Sequence, residues 1–329
     1  MKIPKYLFLL FTIQILSCAK VHFPIDSNRK WQEVEPSNQC TNRHECAAVG
    51  INNQLYLLGG RGIKPVEQYD PLSKKWQQLV KTPVEMHHFQ AIAFENEIYV
   101  MGAFVGVYPH EKPIPNIWIF NPVKNEWRKG ADIPADRQRG GAGAFVYKNK
   151  IYLVNGITDG HWDGHVAWFD VFDPLSKKWE KLSDSPRPRD HFQAAMVGDK
   201  LYVAGGRRST GITNQVFQLT VGEVDVFDFK TQKWTTLAAD KNIPTHRAGC
   251  TAIAIGERVL VIGGESTAQQ TAHNQCEAFN TKTQTWETLA PLKTGRHGTQ
   301  AVLLNHKIFI AAGCGNRGGK PELNSVEAF

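Results

Sequence analysis

The sequence predicts an all-β chain in which six four-stranded antiparallel sheets are set radially around one axis. Three observations point to it: a phrase repeated at a period near fifty residues, short apolar runs bounded by glycine and polar turns, and almost no helical periodicity. The phrase Asp-Pro-Leu-Ser-Lys-Lys-Trp stands unchanged at residues 70–76 and 173–179. Looser copies end at Trp127, Trp234 and Trp286, and Trp31 continues the series toward the N-terminus.

The fourth copy shows the elements in order. A small-residue strand, His191-Phe192-Gln193-Ala194-Ala195-Met196-Val197, is followed by the polar turn Gly198-Asp199-Lys200. The apolar run Leu201-Tyr202-Val203-Ala204 comes next and is stopped by Gly205-Gly206. After a variable loop, Val224-Asp225-Val226-Phe227 alternates with period two, and a last strand surrounds Trp234. Runs this short, rich in β-branched and aromatic residues, read as strands a to d of one sheet. Such a sheet cannot bury both faces alone, so copies must stack; small residues suit the crowded axis and tryptophan the wide rim of a tapered blade.

These features resemble the Kelch-repeat β-propeller. The glycine pair after strand b matches Gly59-Gly60, Gly205-Gly206 and Gly263-Gly264, and is altered to Gly102-Ala103, Asn155-Gly156 and Ala312-Gly313. The aromatic before the c–d turn matches Tyr69, Phe120, Phe172, Phe227 and Phe279. The resemblance implies a six-bladed Kelch-type β-propeller with four antiparallel strands per blade. The last copy stops at Phe329, before its strand d, and residues 24–31 stand where the chain would have continued. An N-terminal strand is therefore expected to complete the last blade, leaving no free sheet edge.

Residues 1–18 read as a targeting segment: Lys2 and Lys5, then an apolar stretch too short to span a membrane. Ile15-Leu16-Ser17-Cys18 resembles a bacterial lipobox with Cys18 as the lipidated residue, while Ser17-Cys18-Ala19 also fits an ordinary signal-peptidase site. Either way the expectation is an exported, periplasmic or cell-surface protein. Residues 19–329 would form a single propeller, expected to be a monomer that meets a membrane only through a lipid anchor. The formal charge of +7 comes with no basic helix or RNA-binding motif, so nucleic acid is not expected as a partner. Five cysteines remain after Cys18, an odd number that makes no disulfide framework; Cys40 and Cys46 are the one pair close enough in sequence to close a loop. No cofactor is predicted.

Antiparallel order puts the short a–b and c–d turns on one face and the long b–c and d–a connections on the other, where function is expected. At one register before strand a stand Asn42, Met86, Arg139, Arg189, Arg247 and Arg296, with histidines, including His191, nearby. The resemblance implies that such arginines brace the blades; as a ring of cations facing the channel they would instead bind a carboxylate or sulfate. In the third blade's loop, His161, Asp163 and His165 alternate and would form a weak metal triad in extended backbone, and Trp162 would stack on a sugar. Tyr108, His110 and Glu111 sit on a proline-stiffened loop; Arg207, Arg208 and Arg317 extend the same rim.

Three functions fit these residues. The reading adopted is a binding module for an extracellular or periplasmic glycan, anionic or neutral, or for a protein. The alternative, implied by similarity to exported N-acetylneuraminate epimerases, is a mutarotase or lyase on acidic sugars using candidates His191, Arg189, Arg139 and Arg247. Similarity to the galactose oxidase central propeller is the third, weakened because Tyr108 alone among the tyrosines lies in a long loop.

Overall fold

A computed structural model describes residues 29–329; the targeting segment, Cys18 and its lipidation lie outside them. Six four-stranded antiparallel sheets are formed, each in the order a-b-c-d. The first blade is Cys46–Ile51, Gln54–Gly59, Pro65–Asp70 and Lys75–Lys81. The sixth is Ala301–Leu304, Lys307–Ala311 and Val326–Ala328, completed by Gln32–Val34 from the other end of the chain. Gln32 pairs with Ala328 and Val34 with Val326, so the closing strand begins just after Trp31. The rest is loop, save a small two-stranded hairpin in each of the second and third blades' b–c loops and two short 3-10 turns, and among the described residues no helix is long and apolar enough to cross a membrane.

The tryptophan series marks one contact made six times. Each tryptophan ring lies 4.9 to 5.3 Å from the aromatic that ends strand c of its own blade, from Tyr69–Trp76 round to Trp31–Phe329. In the sixth blade this contact joins the two ends of the chain, with Trp31 1% exposed. The period-two alternation of each strand sends side chains to both faces of its sheet. The apolar core is accordingly six clusters, each lying between neighbouring blades, such as Ala47, Leu58, Phe89 and Ile98 between the first and second. Several a–b turns are two-residue hairpins with both residues at positive φ, as at Asn52-Asn53 and Lys148-Asn149, which suits the right-handed twist of the strands.

The arginine register braces the blades and does not face the channel. Arg139, Arg189, Arg247 and Arg296 are at most 1% exposed. Each guanidinium donates to a backbone carbonyl at the end of its own strand b, on Asn155, Gly205, Gly263 and Ala312 respectively. Each also pairs with a carboxylate on its own strand c, Asp170, Asp225, Glu277 and Glu327, at 2.6 to 2.7 Å. The glycine-pair turn leaves those carbonyls without strand partners, and a buried carbonyl needs a donor. In the first blade the role belongs to Arg43, one residue past Asn42: it reaches Gly59 O at 3.0 Å and Glu67 at 2.5 Å. Burial pulls Arg139 and Arg189 down to about 10, still protonated at neutral pH. Bracing, the first of the two readings of this register, is thus what the structure shows; the alternative ring of cations, with Arg139, Arg189, Arg247 and Arg296 as ligand-facing candidates, is corrected, since these guanidinium groups are paired inside the sheets.

All five cysteines of the described chain are buried free thiols. Cys40 and Cys46 are not joined; they donate to the carbonyls of Asn324 and Gly298.

Candidate functional site

Two residues past the bracing register, every blade turns its chain through a left-handed residue: Glu45, His88, Gly141, His191, Gly249 and Gly298, with φ between 54° and 63°. At these positions the backbone bonds sideways to the neighbouring blade. His88 N donates to Glu45 O, Gly141 N to His88 O, His191 N to Gly141 O, Gly249 N to His191 O and Gly298 N to Gly249 O, at 2.6 to 3.0 Å. Cys46 N returns to Gly298 O at 3.1 Å and closes the circuit. His191 therefore lies ahead of strand a, which begins at Ala194, and is not part of it as expected.

Just inside this ring, glutamines from alternate blades cross the axis. Gln90 donates to Ala194 O, Gln193 to Thr299 O and Gln300 to Ala91 O, at 3.0 to 3.2 Å. The channel is thus sealed below its loop-face mouth, and what lies above is a cavity of about 300 Å3, in the range of small-ligand sites. Of the six ring positions only Glu45, His88 and His191 carry side chains; Glu45 and His88 line the cavity, and the His191 ring lies 4.8 Å from that of His88, on a smaller space beneath it.

The b–c loops supply the walls. In the third blade the small hairpin Ile157–Asp159 with Asp163–His165 carries His161 on its turn, where Trp162 N closes back on Asp159 O at 2.8 Å. The second blade's loop sends in Glu111, wholly buried, which accepts from Arg61 at 2.6 Å, from His161 N at 3.1 Å and from His161 Nδ1 at 3.0 Å. Gly160 makes this possible: at φ 43°, a Cβ there would lie 1.8 Å from Glu111 Oε2. His161 Nε2 then reaches His191 Nε2 at 3.1 Å. His191 is held from behind by a short hydrogen bond from Nδ1 to Asp190, which also accepts from Ser209. His88 Nε2 lies 3.1 Å from Glu45, and its Nδ1 is 2.6 Å from His87 Nδ1.

The electrostatics divide the mouth in two. Burial, reinforced by the neighbouring imidazoles, drives His88 well below its ordinary value. Burial and the Arg207 guanidinium lower His191 despite Asp190, so both rings are neutral at pH 7. On the opposite wall, His297 resists burial because Glu265 and Glu45 flank it, at 3.4 and 3.7 Å, and raise it to about 10. Burial pushes Glu265 up, but His297 and Arg207 outweigh it and hold its carboxyl at about 2.

The sequence-predicted residues are only partly brought together. His191, His161, Glu111 and Tyr108 meet at the mouth, Tyr108 lying 5.1 Å from the His161 ring. Asp163 and His165 do not join His161, because the turn at Gly160 breaks the extended backbone the alternation assumed. Trp162 is half-buried, 4.6 Å from the exposed His110. His110 pairs with Asp159 at 3.1 Å. Arg207 is buried on Glu265 and Phe217, Arg317 reaches Ser266 O and Gln270, and Arg208 is exposed. Glu45 and Arg61 were not singled out. His88 had a legible signal: His-Phe-Gln-Ala occurs at residues 88–91 and again at 191–194.

The chain matches the KLHDC2/KLHL20/DRC7 Kelch-repeats domain over residues 17–206 and 171–313. It is 26% identical over 291 residues to Kelch-like protein terF of Aspergillus terreus, covering 82% of this chain and 61% of that protein. It is 25% identical to Kelch-like protein 25 of Xenopus tropicalis, covering 84% of this chain and 45% of that protein. The chain thus spans less than two thirds of the length of these curated relatives. Its fold is similar to the structure of YjhT, with a TM-score of 0.74 at 18% identity over 88% of this chain and 95% of that one. Six blades, the repeated aromatic contacts and the match over most of its length establish that this chain belongs to the Kelch-repeat family of β-propellers.

Proposed function

We propose that this chain is an exported binding propeller that grips a protein partner with its loop face, seating a projecting side chain of that partner in the axial cavity. Kelch propellers commonly act as protein-interaction modules. The observation that carries the reading here is the loop face: Ile63, Val107, Tyr108 and Ile212 are 55% to 81% exposed, all four stand on b–c loops of the first, second and fourth blades, and Tyr108 lines the cavity. Exposed apolar side chains on the face that opens onto a polar cavity fit the usual anatomy of an interface, an anchor pocket with groups nearby that exclude water. Selection from a displayed peptide library on residues 19–329 tests it. Binders should be lost with Val107→Asp or Tyr108→Ala and kept with Leu175→Asp on the opposite face; equal loss from both faces, or none, overturns the reading.

A glycan ligand is favoured by a different observation. The Tyr108 ring lies against His161, with the Arg61–Glu111 pair behind it, offering a stacking surface beside hydrogen-bonding groups. A glycan array probed with wild type and Tyr108→Ala separates the two ligands. For an acidic-sugar enzyme, Arg139, Arg189 and Arg247 are already engaged by strand-c carboxylates, which leaves Arg61 as the guanidinium lining the cavity.

A further inference from the structure

Two imidazoles that line the cavity, His88 and His161, and a third beside them, His191, have a relation that peptide or glycan binding does not use. The ligand atoms of His88, His161 and His191 all lie within 4.8 Å of one another, and all three residues are buried. Glu111 accepts from His161 Nδ1 and Asp190 from His191 Nδ1, which fixes both tautomers and turns both Nε2 lone pairs inward. The two lone pairs face each other at 3.1 Å. Two acceptors at hydrogen-bond distance repel unless something positive stands between them. His88 packs against both rings, its centroid 5.0 Å from that of His161 and 4.8 Å from that of His191, and its Nε2 is buried with no hydrogen-bond partner aligned on it.

We propose that His88, His161 and His191 form a three-histidine site for a divalent transition-metal ion of the zinc class, with the fourth coordination position open to the cavity. Zinc bound to imidazole nitrogen at 2.0 to 2.1 Å in tetrahedral geometry sets ligand nitrogens about 3.3 Å apart, and the His161–His191 pair already stands near that separation. The third nitrogen would come from His88, which has a ligand atom within 4.8 Å of those of His161 and His191. Imidazole ligands with carboxylates on their far nitrogens are the arrangement that orients metal-binding histidines and raises their basicity. Glu45, 3.1 Å from His88 Nε2, adds a carboxylate on the cavity side. Three neutral nitrogens suit zinc and its neighbours over magnesium or calcium, which take oxygen ligands. The site does not depend on what the loop face binds.

The test uses untagged protein, stripped with a chelator and titrated with Zn2+ against a competing indicator. One ion per chain is expected. His161→Ala and His191→Ala should each weaken binding on the order of a hundredfold, and Asp190→Asn, which among the three imidazoles bonds only the far nitrogen of His191, about tenfold or more. His165→Ala and His110→Ala, on the same loops, should change nothing. Because alanine at these positions disturbs packed groups, Co2+ added to the wild-type protein gives a second reading: intense visible bands of a four-coordinate ion are expected. Less than stoichiometric uptake, weak octahedral bands, or affinity that His191→Ala leaves intact would overturn the site and show that a shared proton, not a metal, sits between His161 and His191.

Discussion

Five blades carry a buried arginine paired with a strand-c carboxylate; the second has neither. Met86 stands where the others have arginine, and Trp118 where they have Glu67, Asp170, Asp225, Glu277 and Glu327. The two replacements occur together and pack in one apolar cluster. Burying one charge without its partner is costly, whereas exchanging a whole buried pair for apolar groups is often neutral. The brace is therefore one solution to filling the blade's inner corner, and the propeller accepts another. The proposed metal site lies on the register two residues further on, where His88 of the unbraced blade and His191 of a braced one meet.

The largest effect should come from breaking one pair. Arg247→Met strands the Glu277 carboxylate and the carbonyls of Gly263 and Val261, and should cost about 3–5 kcal/mol in urea unfolding. Adding Glu277→Leu, which imitates the second blade, should recover part of that; a double variant costing the simple sum would break the comparison. Next, Trp31→Ala should cost about 3–5 kcal/mol, because it opens both the core and the chain closure. Trp127→Ala, at a half-exposed rim of the second blade, should cost only about 1–2 kcal/mol.

The pH dependence should be smaller and two-sided. His297 is raised to about 10 in the fold, so its contribution is complete below its ordinary value of 6.5 and is lost as pH rises through 10. Glu265 is held at about 2, so its contribution is complete above 4.5 and fades as pH falls toward 2. Melting temperature should be highest between those limits, and His297→Gln should flatten the alkaline limb. The smallest effect concerns the c–d turns, where Lys177 holds φ at 58°. Lys177→Gly should gain about 0.5–1 kcal/mol by relieving a left-handed side chain, read as a slightly higher midpoint.

Much of the architecture was legible because it is periodic. The tryptophans, the strand-c aromatics and the glycine pairs recur at one spacing, and Trp31 with Phe329 gave away the closure. The arginine register was legible too, but slipped by one residue in the first blade: counting from Ala47 put Asn42 in the place of Arg43, because Ala47 is a small residue at the register of Gln193 and the counterpart of Ala194 is Ala48. The site was harder to read. His161, Asp163 and His165 suggested one face of an extended strand, yet the left-handed turn at Gly160 sends His161 alone to the axis. Glu111 gave no local sign of its role, since Arg61 and His161 come from other blades.

By itself the sequence determined the repeat, the number of blades, the stitching of one end of the chain to the other and the face that carries the long loops. These follow from side-chain size and alternation within each copy, which are local properties. Which arginines are locked inside a sheet was decided by the folding of each blade, where strands b and c bring a carbonyl and a carboxylate to one guanidinium. That His88, His161 and His191 meet only the closed ring decided, because they come from different blades and their distances exist only once six sheets have been drawn around a single axis.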